Sequence, residues 1–184
     1  MQSLDHLVVA ARTLDEGGAW IESRLGVAPV PGGKHETMGT HNRLLGLGGA
    51  AYLEVIAIDP QAPPPARARW FSLDAPEMQE RLAHGPALIH WVVRTDAIED
   101  DVRQSKEPLE ILAFSRGPYR WRMALPPDGR LPCDGHCPTL IQWEGNKHPA
   151  ESLPRSGCEL VELVTGGSAP RARIAGAHGE TWLE

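Results

Sequence analysis

Residues 51–58, AYLEVIAI, read as a strand for the inside of a sheet: apolar, β-branched and without a breaker. One acid, Glu54, stands in its middle. Two other apolar stretches repeat this design, LDHLVVA at 4–10 with His6 and LIHWVVR at 88–94 with His90. Each strand therefore carries one side chain able to ligate a metal or move a proton. Side chains two apart share a face of a strand. Glu54 then shares its face with Tyr52, Ile56 and Ile58, and the two histidines lie among leucine and valine. All three polar groups are expected to point into an apolar interior.

Outward from these strands the pattern is duplicated. After the first strand, RTLDEGGAWIESRLGV at 12–27 reads as a helix capped by Thr13 or Asp15 and stopped by Gly26. An irregular strand or loop follows, then the strand HNRLLGLGG at 41–49, then Glu54's strand. After a Pro-rich connector, DPQAPPPARAR at 59–69, and a short helix capped at Ser72 or Asp74, the order restarts. LIHWVVR leads into a helix near 95–106, two strands joined near Gly117, and a last strand holding Gln142. The expected fold is α+β, two βαβββ modules forming a curved, U-shaped mixed sheet around a central cavity. The expected boundaries are 1–60 for the first module, 61–86 for the linker, 87–150 for the second module and 151–184 for a C-terminal extension. That tail reads as one strand with a weaker second one.

His6 and His90 occupy matching places in the opening strands, and Glu54 and Gln142 occupy the closing strands. Packed about a pseudo-twofold axis, the four would converge. A buried unpaired carboxylate costs several kcal/mol, roughly, and a cation held by two imidazoles, a carboxylate and an amide oxygen removes that cost. The mixed N/O set suits zinc, nickel, iron(II), manganese or cobalt. Each residue taken singly also fits a hydrogen-bonded core position.

Whole-chain totals narrow the field. The 184 residues are 41% apolar and 23% charged, an ordinary globular composition. A net charge of −6 argues against a nucleic-acid surface. No apolar run approaches a bilayer span and no basic-then-apolar leader opens the sequence, so the expected location is cytoplasmic, with no membrane partner. The three cysteines are too few for a disulfide framework and fit a reducing compartment. The CDGHCP stretch at 133–138 lacks a second Cys/His pair for a zinc site and reads as a loop.

These features resemble the vicinal oxygen chelate superfamily, and within it the glyoxalase-like domain group. The carrying stretches are LDHLVVA, PGGKHETMGTHNRLLGLG at 31–48, YLEVIAIDP at 52–60, HWVVRTD at 90–96 and PTLIQWEGNKHPA at 138–150. The resemblance implies eight strands around a small-molecule cavity, with metal ligands His6, Glu54, His90 and Gln142. It implies a metal-dependent enzyme acting on a small carbonyl or vicinal-oxygen substrate, of isomerase, lyase or dioxygenase type. A non-catalytic binding protein of the bleomycin-resistance type is the alternative, and an assembly or regulatory subunit a third. Glu54 is the expected base. His41, Asn42, Arg116 and Trp143 are the expected substrate contacts, with Arg116 suited to a carboxylate. Whether the modules pair within one chain or across a homodimer stays open at this level.

Overall fold

In the computed structural model, which describes residues 2–167 and 169–184, the two modules pair within one chain. The first comprises β1 (Ser3–Ala10), α1 (Leu14–Leu25), β2 (Val30–His35), β3 (Thr40–Gly46) and β4 (Tyr52–Ile58). After α2 (Pro76–Ala83), the second comprises β5 (Ala87–Arg94), α3 (Ile98–Gln104), β6 (Glu110–Arg116), β7 (Tyr119–Leu125) and β8 (Thr139–Trp143). The sheet order is β2-β3-β4-β1-β5-β8-β7-β6. From the central antiparallel pair β1–β5, each half runs outward through its fourth, third and second strand, which is the duplication made visible. In each half the first strand pairs in parallel with the fourth.

The sheet curls into a half-barrel until its two edge strands meet. A Cβ at Gly33 on β2 would lie 2.7 Å from Arg116 Cδ on β6, so glycine there lets the rims close. The inner face packs Val8, Ile56, Val92, Met123 and Ile141. The outer face packs Leu7, Val9, Leu53 and Val55 against Ile21 and Leu25 of α1. Alternation along β1 and β4 thus divides one strand between two cores.

Thr13 caps α1, its hydroxyl accepting from the Glu16 N–H at 3.1 Å, and Gly26 ends it at φ 74°. The expected cap of α2 is corrected. Pro76 opens that helix after Ala75, with no side-chain cap, because Asp74 instead accepts from the Arg69 backbone and guanidinium. The connector before α2 is irregular but structured. Phe71 and Ser72 hold left-handed φ values of 58° and 57°, and Ser72 is tied by its N–H to the Gly129 carbonyl at 2.8 Å. This turn tucks Trp70 and Phe71 into the inner core.

Two expectations about the C-terminal third change. The tail forms three antiparallel strands, β9 (Glu159–Val164), β10 (Arg171–Gly176) and β11 (Gly179–Leu183), after a short α4 (Pro149–Ser152). Ala172, Ile174 and Leu183 cover the outer core. The second concerns the cysteines: within the CDGHCP loop Cys133 and Cys137 are joined, a single local bridge where no disulfide framework is expected, and among the described residues Cys158 is a free, buried thiol. No described helix is long and apolar enough to cross a membrane.

Candidate functional site

A narrow cavity lies inside the curl. His6, His35, Asn42, Tyr52, Glu54, Trp70 and Arg116 are on its wall, closed by Trp121, Met123, Ile141 and Trp143. Its free interior is small, about 20 Å³, room for little more than a water molecule as it stands. Parallel pairing of β1 with β4 sets His6 against Tyr52 and Val8 against Glu54, which brings imidazole and carboxylate together. His6 Nε2 stands 3.6 Å from Glu54 Oε2, an ion-pair separation and too long for a hydrogen bond. The imidazole stacks on Tyr52 with ring centres 4.7 Å apart.

Each partner of this pair is held from behind. His6 Nδ1 meets Asp5 Oδ1 at 2.7 Å. Asp5 is fully buried, and its other oxygen accepts from Arg94 Nε at 3.0 Å, Trp143 Nε1 at 2.8 Å and His148 Nε2 at 3.0 Å. Burial alone would raise its pKa, but the hydrogen bonds from His148 and His6 carry it well below the usual carboxylate range. His148 caps α4 with Nδ1, which accepts from the Ala150 N–H, so Nε2 carries the hydrogen that reaches Asp5. Asp5, adjacent to His6, reaches the same cluster because the β1–β5 register shifts between Leu4 and His6.

Glu54 Oε1 accepts from Asn42 Nδ2 at 2.6 Å. Asn42 Oδ1 in turn accepts from the Gly33 N–H and from Arg116 Nη1, both at 2.9 Å. Arg116 Nη1 also donates to His35 Nε2 at 3.1 Å, while His35 Nδ1 meets the Thr40 hydroxyl at 3.0 Å. Burial, and then the Arg116 charge, hold the His35 pKa at about 3, so this ring is neutral. A hydrogen-bonded chain thus runs from Arg116 through Asn42 to Glu54, with His6 and Asp5 beyond it.

The expected set of four donors does not assemble. His90 is fully buried but stands off the cavity wall. Its Nε2 accepts from the Thr139 N–H at 3.1 Å and lies 3.0 Å from the Thr139 hydroxyl, and its Nδ1 has no partner among the described residues. Burial, reinforced by the His6 charge, lowers its pKa to about 3. Gln142 points to the outer side. Its Oε1 accepts from the Ile98 N–H at the start of α3 and from Arg122, and its Nε2 donates to the Asp96 carbonyl. The register explains this. Val8, two places after His6, pairs with Glu54, whereas Val92, two places after His90, pairs with Thr139. The counterpart of Glu54 is therefore Thr139, an odd number of residues from Gln142 and on the opposite face. The second half of the donor set is a hydroxyl bonded to its own histidine. Among the described residues no three His, Cys, Asp or Glu side chains gather to hold a metal ion, and the residues do not fit a four-donor centre.

Of the other expected contacts, Asn42, Arg116 and Trp143 line the cavity, and the Trp143 N–H is already engaged by Asp5. His41 alternates with Asn42 along β3 and is not on the wall; it pairs in register with Lys34 and Ala57. The sequence does not single out Asp5, His35 or His148; it places Tyr52 on the face of Glu54, and of the tryptophans it offers as cavity lining, Trp70, Trp121 and Trp143 are on the wall and Trp91 is not. The acid beside the histidine in LDH and the histidine in GNKHPA were the only visible signals for Asp5 and His148.

Comparison with known proteins accords with this architecture. The model of a family described as a glyoxalase-like domain matches residues 4–180. A hypothetical protein from Staphylococcus aureus aligns over 99% of this chain and 84% of its own, at 12% identity and a TM-score of 0.59. A methylmalonyl-CoA epimerase bound to methylmalonyl-CoA aligns over 81% of this chain and 99% of its own, at 19% identity and a TM-score of 0.53. The Streptomyces coelicolor methylmalonyl-CoA epimerase in complex with 2-nitronate-propionyl-CoA aligns over 80% and 98%, at 20% identity and a TM-score of 0.52. At such identities the likeness establishes the fold. No curated protein sequence matches.

Proposed function

The chain belongs to the glyoxalase-like domain family, and from that premise we propose that it is an enzyme moving a proton next to the carbonyl of a small substrate, with Glu54 as the base. The carrying observation is the Glu54–His6 pair. A buried carboxylate on a cavity wall has one oxygen held by Asn42 and the other facing an oriented imidazole. Glu54 Oε2 takes the proton from the carbon beside the carbonyl. The C–H electron pair moves into the new carbon–carbon double bond and the carbonyl π pair moves onto oxygen. Return of the proton to either face, or to the neighbouring carbon, completes an isomerisation. His6, its Nδ1 fixed by Asp5, presents Nε2 towards the carboxylate across 3.6 Å and orients it. Asn42, Arg116 and Trp143 position the substrate.

The test is exchange of substrate carbon-bound hydrogen for deuterium in heavy water, followed by proton NMR with a panel of small aldehydes, ketones and oxo acids. Wild-type protein is expected to catalyse exchange in at least one member. Glu54→Gln should slow it by about 10² to 10⁴-fold, the usual worth of a positioned base. Binding without exchange in the wild type would favour the sequestering alternative, and exchange unaffected by Glu54→Gln would refute the assignment.

No step is routed through a metal, since two of the four expected donors are engaged elsewhere. Dialysis against a chelator is therefore expected to leave the exchange rate unchanged. A rate lost on chelation and restored by zinc, nickel, iron(II), manganese or cobalt would overturn that expectation.

A further inference from the structure

The cavity wall one amide away from the base has an unusual charge arrangement. Arg116 is held in place by neutral acceptors, the Asn42 carbonyl oxygen and His35 Nε2. No carboxylate among the described residues is paired with it; Glu54 lies beyond Asn42. His35 is kept neutral by burial and by Arg116 itself, so it orients the guanidinium without cancelling its charge. The other contact of Arg116 is the Tyr119 ring, 6.0 Å from its Cζ.

A second, independent feature lies on the same wall. Trp70 is 3% exposed and lines the cavity, yet its indole N–H has no acceptor among the described residues. Its ring meets His35 edge-on, with centres 5.0 Å apart, and His35 is the residue that holds Arg116. A buried N–H without a partner is destabilising and is retained where something else supplies the acceptor. An unneutralised guanidinium and an unsatisfied indole donor thus flank one imidazole.

We infer that Arg116 and Trp70 form a carboxylate subsite, so that the substrate is a short oxo acid. The inference rests on the proposed role of Glu54 in the same cavity and adds the chemical class. Arg116 and Trp70 donate to the carboxylate oxygens. The Asn42 amide, bonded to Arg116 on one side and Glu54 on the other, spaces the anion from the base by the width of one carboxamide. The carbon next to the carbonyl then falls beside Glu54 Oε2. The cavity is narrow and walled in part by the indoles of Trp70, Trp121 and Trp143, which limits the acid to a short chain.

The test is a binding measurement that needs no turnover. Pyruvate and its neutral isostere pyruvamide are titrated into Glu54→Gln protein, read by tryptophan fluorescence and checked by calorimetry. Pyruvate is expected to bind about 10- to 100-fold tighter, the worth of a charge-assisted bond. Arg116→Met should abolish the preference. Trp70→Phe, which keeps the ring and removes the N–H, should weaken pyruvate about threefold to tenfold and pyruvamide less. Each variant is first required to melt like the parent. Should Arg116→Met fail to fold, Arg116→Lys replaces it: the point charge without the fork is expected to reduce the preference without abolishing it. Equal affinities, no binding of either compound, a preference unaltered by the Arg116 variant, or displacement of pyruvate by an equal concentration of inorganic phosphate would each overturn the inference. None of these outcomes bears on deuterium exchange by wild-type protein with a neutral ketone, so loss of the subsite and loss of the base are separable.

Discussion

Asp5→Ala is expected to lower the unfolding free energy by about 3–5 kcal/mol, the range seen when one partner of a buried ionic cluster is removed. Asp5 is fully buried and gathers His6, Arg94, Trp143 and His148 around one carboxylate. These partners come from β1, β5, β8 and the cap of α4, so the side chain ties both modules to the chain that follows them. Alanine leaves the Arg94 charge and three ring N–H groups facing a void, each needing an acceptor that water reaches poorly. Urea denaturation measures the effect, read as a lower midpoint at an unchanged slope. Asp5→Asn retains two oxygen lone pairs but loses the charge, and should fall between alanine and wild type. A loss below about 1 kcal/mol for alanine would show that the cluster is incidental to stability.

Acidification is the second large effect. His35 and His90 are buried neutral with pKa values of about 3, against 6.5 for a free imidazole. Both folded-state values are depressed, so above pH 6.5 both states are neutral and these groups leave stability flat. As pH falls from 6.5 towards 3 the unfolded chain takes up two protons that the folded protein refuses. Stability then declines by about 1.4 kcal/mol per pH unit for each imidazole, on the order of several kcal/mol in all by pH 4. Asp5 adds a separate loss at lower pH, below its unfolded value of 3.8. Chemical denaturation at a series of pH values measures the slope. His90→Asn, whose amide oxygen can still accept from the Thr139 N–H, should remove about half of it. A flat profile between pH 6.5 and 4 would mean that the two rings titrate normally in the folded state.

The two halves are legible as copies because each strand's alternation is strong enough to resist its surroundings. His6 and Glu54 sit among apolar residues in unbroken strands, and parallel pairing of β1 with β4 follows from the βαβββ order itself. Gln142 was misplaced for the opposite reason. Its strand, TLIQW, is apolar on both faces, so period two could not say which side chains turn inward. Tertiary pairing of β5 with β8 then selected Thr139 for the inner position. Asp5 carries no sequence signal of its role because a register shift turns it to the side of its neighbour, and no local pattern marks such a shift.

Composition, alternation and duplicated order were sufficient to determine the α+β class, the two modules and the inward aim of His6 and Glu54. Those properties depend on local periodicity and on burying apolar faces, which neighbouring residues encode. Tertiary structure alone decided which polar groups meet: Asp5 with His148, Asn42 with Arg116, His90 with Thr139. Such contacts join segments far apart in the chain, and shifting a strand by one residue reverses every side chain on it. The cavity therefore acquired a buried carboxylate, a charged wall and an unsatisfied indole only when the sheet curled and its edges came together.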